Sequence, residues 1–239
     1  MKKFTYTHCN SDKDNYHIQT NNARDPLITC FPTSMINWCK INKLHTVTPD
    51  DPRYEQLEDD YDAFLHENED VQNFTGDMSR TMPWVKEYLD KGGDPRELWD
   101  VEVYAMNKWL GENHAKAQYN LTEQDIIYEI QSGRSIVTTG KFCGFSHAVT
   151  IVGFKATAEG YLLDKDIELS GSNMSFQVDG NQFVLTDIII LDTYGNPNDN
   201  YANIGKDGFD VVIPKEDFFS CINKSGKTDS HIYYGITYI

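Results

Sequence analysis

The order of apolar and polar positions divides the chain into a helical part and a strand-rich part. Over residues 30–42, apolar side chains recur three or four positions apart, which predicts a helix with Pro32 in its first turn. After residue 134 the pattern changes to short β-branched or aromatic runs, which predict strands. These runs cover residues 135–139, 147–154, 182–185, 187–192 and 208–213. Residues 1–29 are polar and rich in turn formers, so no element is predicted there.

An acidic segment of about residues 45–132 is predicted to be mainly helical. Its best-marked helix has Thr122 as N-cap, with Asp125 three positions later, and stops at Gly133. Among the later strands, residues 178–181 predict a hairpin turn. A helical half followed by an antiparallel sheet is the pattern of an α+β fold. No repeat or low-complexity linker divides the 239 residues, so we expect a single domain over residues 1–239.

Composition and charge exclude several classes of protein. The 21 Lys and Arg against 37 Asp and Glu give a net charge of −16, with no basic patch, so we expect no nucleic-acid partner. No apolar run approaches the roughly 18 residues of a membrane-spanning helix, and none follows the N-terminal lysines as in a signal peptide. The five cysteines form no CxxC pair or Cys/His zinc grouping, so we expect free thiols in a reducing cytoplasm.

Cys30 lies at the predicted start of the first helix. The positive end of the helix macrodipole favours a thiolate, which is the nucleophilic form of cysteine. A small buried apolar side chain is the alternative interpretation of the same residue. Gln19, eleven positions earlier, carries an amide that together with the Cys30 backbone N–H would bind an oxyanion.

His147 opens a predicted strand, and Asp192 ends another. An imidazole at the rim of a sheet can face a cleft, and a carboxylate beside it can fix its tautomer. Each residue alone also fits a structural role, as a satisfied histidine or a turn-capping aspartate. Because a nucleophilic thiol needs a base and the base needs an orienting group, Cys30, His147 and Asp192 together indicate a Cys-His-Asp arrangement.

Four short blocks in this order resemble the C39-like cysteine peptidases of the papain superfamily. The blocks are residues 19–22, 29–34, 146–154 and 191–196. The resemblance implies a papain-like fold, in which an N-terminal helical half packs on an antiparallel sheet and the acidic helical segment is an insertion. It also implies a nucleophile, a general base, its orienting group and an oxyanion residue, which are Cys30, His147, Asp192 and Gln19 respectively.

The chain departs from the family pattern at two positions beside these residues. Phe31 stands where the family has Gly, which would narrow the cleft next to the nucleophile, and Thr193 stands where it has Pro. Neither departure removes a catalytic group. We expect Phe31, Phe145 and Tyr194 to contact the substrate.

The resemblance implies hydrolysis of an amide through an acyl-enzyme. Domains of this family occur in bacteriocin exporters, in secreted peptidases and in phage lysins. The expected function is that of a phage-type endolysin that cleaves peptidoglycan peptides, made in the cytoplasm without a signal peptide and released through a holin. A peptidase acting on protein substrates and a catalytically silent papain-like binding or inhibitory module are the alternatives. The net charge of −16 conflicts with a wall of anionic polymers at low salt.

The remaining cysteines and the acidic stretches are weaker candidates for chemistry. Cys39 faces the opposite side of the first helix from Cys30, and Cys143 lies in a loop where no helix start activates it. We expect no cofactor and no metal. Residues 50–60 and 192–201 are rich enough in oxygen ligands for calcium, but neither has EF-hand spacing, and solvated turns account for both.

Overall fold

The chain folds around an antiparallel sheet of seven strands, with five α-helices among the described residues. The computed structural model describes residues 2–24, 26–27, 29–44, 47, 50–68, 95–160, 177–178, 181–182, 184–222 and 233–239. The helices are α1 (Cys30–Ile41), α2 (Leu57–Glu67), α3 (Pro95–Leu110), α4 (Glu123–Gln131) and α5 (Lys215–Cys221). The strands are β1 (Lys2–Cys9), β2 (Ala115–Leu121), β3 (Ile136–Phe142), β4 (Phe145–Gly160), β5 (Gln177–Val178), β6 (Asn181–Gln182), β7 (Val184–Asp192), β8 (Val211–Pro214) and β9 (Tyr233–Tyr238).

Strand β4 organises the large sheet. The strand order is β2-β9-β3-β4-β7-β8, and β1 pairs with the second half of β4. In the register of β4 with β7, Val149 lies opposite Asp192. Since side chains two positions apart on a strand share a face, His147 is a diagonal neighbour of Asp192. The sheet therefore brings together two residues that are far apart in sequence.

The helix and strand signals of the sequence are confirmed in most of the described chain. The α+β class and the antiparallel sheet are confirmed, and α1 begins and ends within one residue of the predicted helix. Thr122 and Asp125 form the expected capping box of α4, and Gly133 follows that helix with φ of 78°. Of the predicted hairpin turn, residues 179 and 180 lie outside the described residues, and the flanking positions pair as β5 and β6.

The N-terminal strand β1 differs from the sequence prediction, which assigned no element to residues 1–29. β1 pairs with β4 over its whole length, from Lys2 opposite Gly160 to Cys9 opposite Gly153. Its half-buried positions include a tyrosine and a histidine, both of which pack against Phe154. Because the alternation is carried by polar and aromatic side chains, hydrophobicity alone does not reveal it.

The described part of residues 45–132 is mainly helical, as predicted, and strand β2 is the element within it that the sequence did not predict. β2 is the edge strand of the main sheet and pairs with β9. Only its two ends, Ala115 and Leu121, are buried, and the residues between them are polar or half-buried. Such an edge strand lacks the apolar alternation of an internal strand, so part of this acidic segment belongs to the sheet itself.

Helix α1 is enclosed by its neighbours. Every residue from Pro32 to Ile41 is buried. Its apolar side chains share a core with residues of α2, α3 and the sheet, namely Leu57, Tyr61, Trp99, Met106, Val137 and Ile236. Because α1 is buried on all sides, its accessible point is its amino end, where Cys30 is half-exposed.

No helix of the described residues is long and apolar enough to cross a membrane.

Candidate active site

The start of α1 is held in place by a buried polar cluster just before Cys30. The Asn22 side-chain nitrogen donates to the hydroxyls of Thr29 at 2.8 Å and Thr33 at 3.0 Å. The Thr33 hydroxyl in turn donates to the Thr29 carbonyl at 2.8 Å. Satisfying polar groups at a helix amino end fixes the first turn, so the Cys30 thiol is presented from a rigid element.

Two reciprocal hydrogen bonds join α1 to β4. The Ser34 hydroxyl donates to the Ala148 carbonyl, and the Thr150 hydroxyl donates to the Ser34 carbonyl, each at 3.0 Å. These groups are buried, so losing either partner would leave an unsatisfied polar atom. The contacts fix the first turns of α1 against the part of β4 that begins with His147.

His147 lies between a carboxylate and the thiol. Its Nε2 is 2.7 Å from Oδ1 of Asp192, which is wholly buried, while His147 itself is 8% exposed. The Cys30 thiol lies close enough to the imidazole to raise its pKa. Because Nε2 faces Asp192, Nδ1 is the ring nitrogen available to the thiol.

The surroundings of His147 favour its protonated form. Burial opposes the charge, but the charge and hydrogen bond of Asp192 and the contact with Cys30 outweigh it, and the pKa of His147 rises from 6.5 to about 10. At neutral pH the ring is therefore an imidazolium that donates towards both neighbours. Such a group stabilises an adjacent thiolate and can deliver a proton to a leaving group.

Asp192 is fixed by donors that sequence patterns did not reveal. Its Oδ1 accepts from the backbone N–H of Tyr194 at 2.9 Å and of Gly195 at 3.3 Å, and its Oδ2 accepts from the Tyr201 hydroxyl at 3.0 Å. The Tyr16 hydroxyl donates to the Asp192 carbonyl at 2.8 Å. Burial and the Asp192 charge raise the pKa of both tyrosines, so both hydroxyls stay protonated and can donate. Both tyrosines lie in loops, where no periodic pattern marks them.

Gln19 is anchored to the residue that follows Asp192. Its backbone N–H donates to the Thr193 carbonyl at 2.9 Å, and its Oε1 accepts from the Thr193 hydroxyl at 2.8 Å. Its Nε2 donates to the Pro26 carbonyl at 3.1 Å, and an amide nitrogen carries a second hydrogen for a further acceptor. The threonine that replaces the proline of the family pattern thus supplies the hydroxyl that orients the Gln19 amide.

The three residues expected to contact substrate have different surroundings. Phe31 is half-buried and packs edge-to-face on Trp99 of α3, with ring centroids 5.3 Å apart. Phe145 is 68% exposed. Tyr194 is half-buried and meets the ring of His147 edge-on at 6.3 Å. Phe31 therefore contributes to the core between α1 and α3, Tyr194 lies beside His147, and Phe145 is exposed to solvent.

The other thiols are poorly placed for catalysis. All five cysteines are free. Cys39 is wholly buried, and burial raises its pKa to about 12. The exposed Cys143 donates to the Pro197 carbonyl at 3.1 Å, and partial desolvation and nearby carboxylates, Asp192 foremost, raise its pKa.

In the part of the chain that the structure describes, no group of three or more His, Cys, Asp or Glu side chains converges in a way that could hold a metal ion. Asp192 accepts its hydrogen bonds from protein groups, as described above. In the earlier oxygen-rich stretch, Asp59 accepts from the Ala23 backbone N–H at 2.7 Å, and Asp51 pairs with Arg53 at 2.8 Å. These carboxylates therefore bind the protein itself.

Gly208 is expected to be indispensable to the position of Asp192. A Cβ at Gly208 would lie 2.1 Å from the Asp192 carbonyl oxygen and 2.5 Å from the Tyr16 hydroxyl. Gly208→Ala should therefore displace the Asp192 backbone and lower the free energy of unfolding by about 1–3 kcal/mol. Urea unfolding, together with the rate at which iodoacetamide alkylates Cys30, measures both effects.

Gly153→Ala is the matched control for that substitution. Its Cβ would meet a backbone oxygen of β1, that of His8, at 2.4 Å, six positions beyond His147 on β4. Gly153→Ala should lower the free energy of unfolding by a comparable amount and leave the alkylation rate of Cys30 unchanged. Equal loss of alkylation in both variants would show that Gly208 supports the fold only in a general way.

Comparison with known proteins found no relative: no family model, curated protein or solved structure matches the chain. The function is therefore inferred from the side chains of the site. The structure brings Cys30, His147 and Asp192 together, with a hydrogen bond between His147 and Asp192, and it fixes Gln19 beside Asp192 through Thr193. Asn22, Ser34, Tyr16 and Tyr201 are the supporting residues that the fold adds.

Proposed function

We propose that the protein is a cysteine hydrolase of papain-like architecture that cleaves amide bonds through an acyl-enzyme. The observation that carries the proposal is the series Cys30–His147–Asp192. In it a buried carboxylate holds one side of an imidazole at 2.7 Å, and a thiol at a helix amino end meets the other side. A structural histidine needs no thiol beside it, whereas the base of a nucleophile–base pair does.

In the proposed reaction the Cys30 thiolate attacks the amide carbonyl carbon and forms a C–S bond. The carbonyl electron pair moves to oxygen, where the Cys30 backbone N–H and the second N–H of the Gln19 amide stabilise it. The C–N bond then breaks, and His147 gives its Nδ1 proton to the leaving amine. Water attacks the thioester, His147 accepts a proton from it, and the thiolate departs, while Asp192 keeps Nε2 protonated throughout.

The proposed substrate is the peptide of bacterial peptidoglycan, in the manner of a phage endolysin. Support comes from the resemblance of the four sequence blocks and from the accessible amino end of α1, where Cys30 is half-exposed. The net charge of −16 opposes approach to an anionic wall, and salt screens this repulsion beyond about 8 Å at physiological ionic strength. Hydrolysis of sacculi should accordingly be faster at physiological than at low salt.

A peptidase of protein substrates is the second candidate. The same negative charge favours it, because a strongly acidic enzyme attracts basic polypeptides rather than anionic polymers. Two exposed apolar side chains close in sequence to Cys30 and His147, Leu27 at 72% and Phe145 at 68% exposure, also suit a polypeptide. The silent binding module is disfavoured, since it has no need of the Cys30–His147–Asp192 series.

The test compares the protein and its Cys30→Ala variant on purified peptidoglycan sacculi and on an unfolded basic protein. Turbidity and newly released amino groups are followed at low and at physiological salt. Loss of turbidity with new amines from the parent alone supports the wall hydrolase, and cleavage of the protein alone supports the second candidate. Equal hydrolysis by both variants would contradict the thiol mechanism. No hydrolysis, with Cys30 inert to iodoacetamide, would favour the silent module.

A further inference from the structure

A buried series of charged groups lies at the last turn of α1, which carries Lys40. The Lys40 ammonium is 2.6 Å from Nε2 of His17, and Nδ1 of His17 contacts a carboxylate oxygen of Glu58 on α2. The three residues are at most 5% exposed. Lys40 also lies 3.5 Å above the ring of Tyr54. This Lys40–His17–Glu58 series joins α1 and α2 through one residue of the N-terminal loop.

The contacts place the His17 ring between two charged side chains. An ammonium carries only donors, so Nε2 of His17 accepts from Lys40, while Nδ1 faces a carboxylate oxygen of Glu58. His17 thus links the ammonium on α1 to the carboxylate on α2. Both contacts depend on the placement of the His17 ring, so a displaced ring would lose both of them.

Asn37 holds the backbone of the same residue. Its Oδ1 accepts from the His17 N–H at 2.7 Å, and its Nδ2 donates to the His17 carbonyl at 3.3 Å. Asn37 is wholly buried and lies seven positions after Cys30, two turns along the same helix. Gln19 follows two positions after His17. One rigid helix therefore carries the nucleophile and also grips the loop that carries the oxyanion amide.

We propose that Asn37 and the Lys40–His17–Glu58 series are positioning residues that fix the distance between the Gln19 amide and the Cys30 thiol. This inference rests on the proposed function, since it assigns the amide to the oxyanion. Thr193 fixes the side chain of Gln19 from the sheet, and Asn37 fixes the loop from the helix. An oxyanion donor must be held within about 0.5 Å of its productive position, which two independent anchors achieve.

The energetics of buried charge support a geometric role. A buried ion pair is often no more stabilising than well-packed apolar residues of the same volume, because desolvation offsets the attraction. Lys40 and Glu58 occupy helix positions that an apolar pair would fill without this cost. What the charged series adds is a directional hold on His17, in a place where small displacements alter transition-state stabilisation.

Two reactions of Cys30 separate an oxyanion effect from a general loss of structure. Acylation by 4-nitrophenyl acetate forms a C–S bond at a carbonyl carbon, passes through an oxyanion and expels 4-nitrophenolate. Alkylation by iodoacetamide displaces iodide at a saturated carbon and forms no oxyanion. Modification of Cys30 is quantified in the full chain by peptide mapping. The ratio of the two rates reports the oxyanion site without knowledge of the natural substrate.

Gln19→Ala should lower acylation about 100-fold and leave alkylation unchanged, as expected for loss of one oxyanion donor. Asn37→Ala should lower acylation about tenfold, again with alkylation unchanged. The double variant should acylate no more slowly than Gln19→Ala alone, because the anchor has no effect once the amide is absent. Lys40→Met combined with Glu58→Gln, which removes both charges together, should behave like Asn37→Ala.

Asn42→Ala is the matched control. Asn42 follows the last turn of α1, and its Nδ2 donates to the Trp38 carbonyl at 2.7 Å and the Ser135 hydroxyl at 3.2 Å. It should leave the ratio of acylation to alkylation unchanged.

Three outcomes would overturn an assignment, and they are distinguishable. An unchanged ratio in Asn37→Ala and in the charge-free pair, with a lowered ratio in Gln19→Ala, would overturn the positioning role alone. Equal loss of both rates in those variants would reduce Asn37 and the series to structural residues. A ratio that Gln19→Ala does not alter would overturn the oxyanion site of the proposed function.

Discussion

Cys30→Ala should abolish amide hydrolysis, with a fall in rate of about 10⁴-fold or more. Removing the nucleophile of a catalytic series leaves only binding and oxyanion stabilisation, and losses of that size follow in comparable enzymes. The substitution removes one half-exposed sulfur at a helix end and should leave the fold intact. The measurement is the release of amino groups from whichever substrate the parent cleaves, sacculi or the unfolded basic protein. Circular dichroism verifies folding.

Cys143→Ala is the control for a nearby thiol that has no assigned role. Its thiol donates to the Pro197 carbonyl, and partial burial and the carboxylates around it raise its pKa, which disfavours the thiolate at neutral pH. Hydrolysis by this variant should remain within about threefold of the parent, since surface substitutions away from special features have small effects. A large loss here with little loss in Cys30→Ala would reassign the nucleophile.

Asp192→Asn should slow hydrolysis by about 100-fold or more and shift the alkaline limit of activity to lower pH. In the parent, burial lowers the pKa of His147, but the charge of Asp192 raises this pKa by a larger amount, and the net result is a pKa of about 10. The asparagine fits the same space and removes the charge, so burial dominates and the ring loses its proton at lower pH. A shift of at least about one pH unit is expected, followed by NMR titration of the His147 ring as well as by activity.

The sign of the stability change follows from the same pKa. A histidine whose pKa is 6.5 unfolded and about 10 folded stabilises the native state fully below pH 6.5, and this contribution is lost as pH rises through 10. Between these values the parent should lose more unfolding free energy than Asp192→Asn. Tyr201→Phe removes one hydrogen bond from Asp192 and keeps its charge, so the titration of His147 should change little. An unchanged titration of His147 in Asp192→Asn would show that Asp192 does not set the pKa of His147.

The predictability of the fold depended on how each element buries its apolar residues. Helix α1 and the internal strands β3, β4 and β7 carry dense apolar patterns, because each is covered by neighbours, and the sequence located α1 closely and each of the three strands in part. Strands β1 and β2 lacked a signal of this strength, since partners distant in sequence stabilise them and much of their surface stays polar. Pairings of this kind are set by the whole sheet.

The residues of the candidate site also fall into two groups, one that the sequence identified and one that it did not. Cys30, His147, Asp192 and Gln19 could be named from the sequence, because a helix start, a strand start and a strand end are local features that residue type and spacing record. Their supporting groups could not be named in this way. Tyr16 and Tyr201 on Asp192, Thr193 on Gln19, and Asn37 on His17 are contacts between segments that meet only after the sheet and α1 have packed.

The sequence by itself therefore determined which chemical groups are present and which elements carry the nucleophile and the base. The tertiary structure decided their distances, the burial that opposes the charge of His147 and the Asp192 contact that restores it. The physical reason is that residue type sets what a group can donate, accept or release. Hydrogen-bond geometry and the local dielectric arise only when distant segments are packed together.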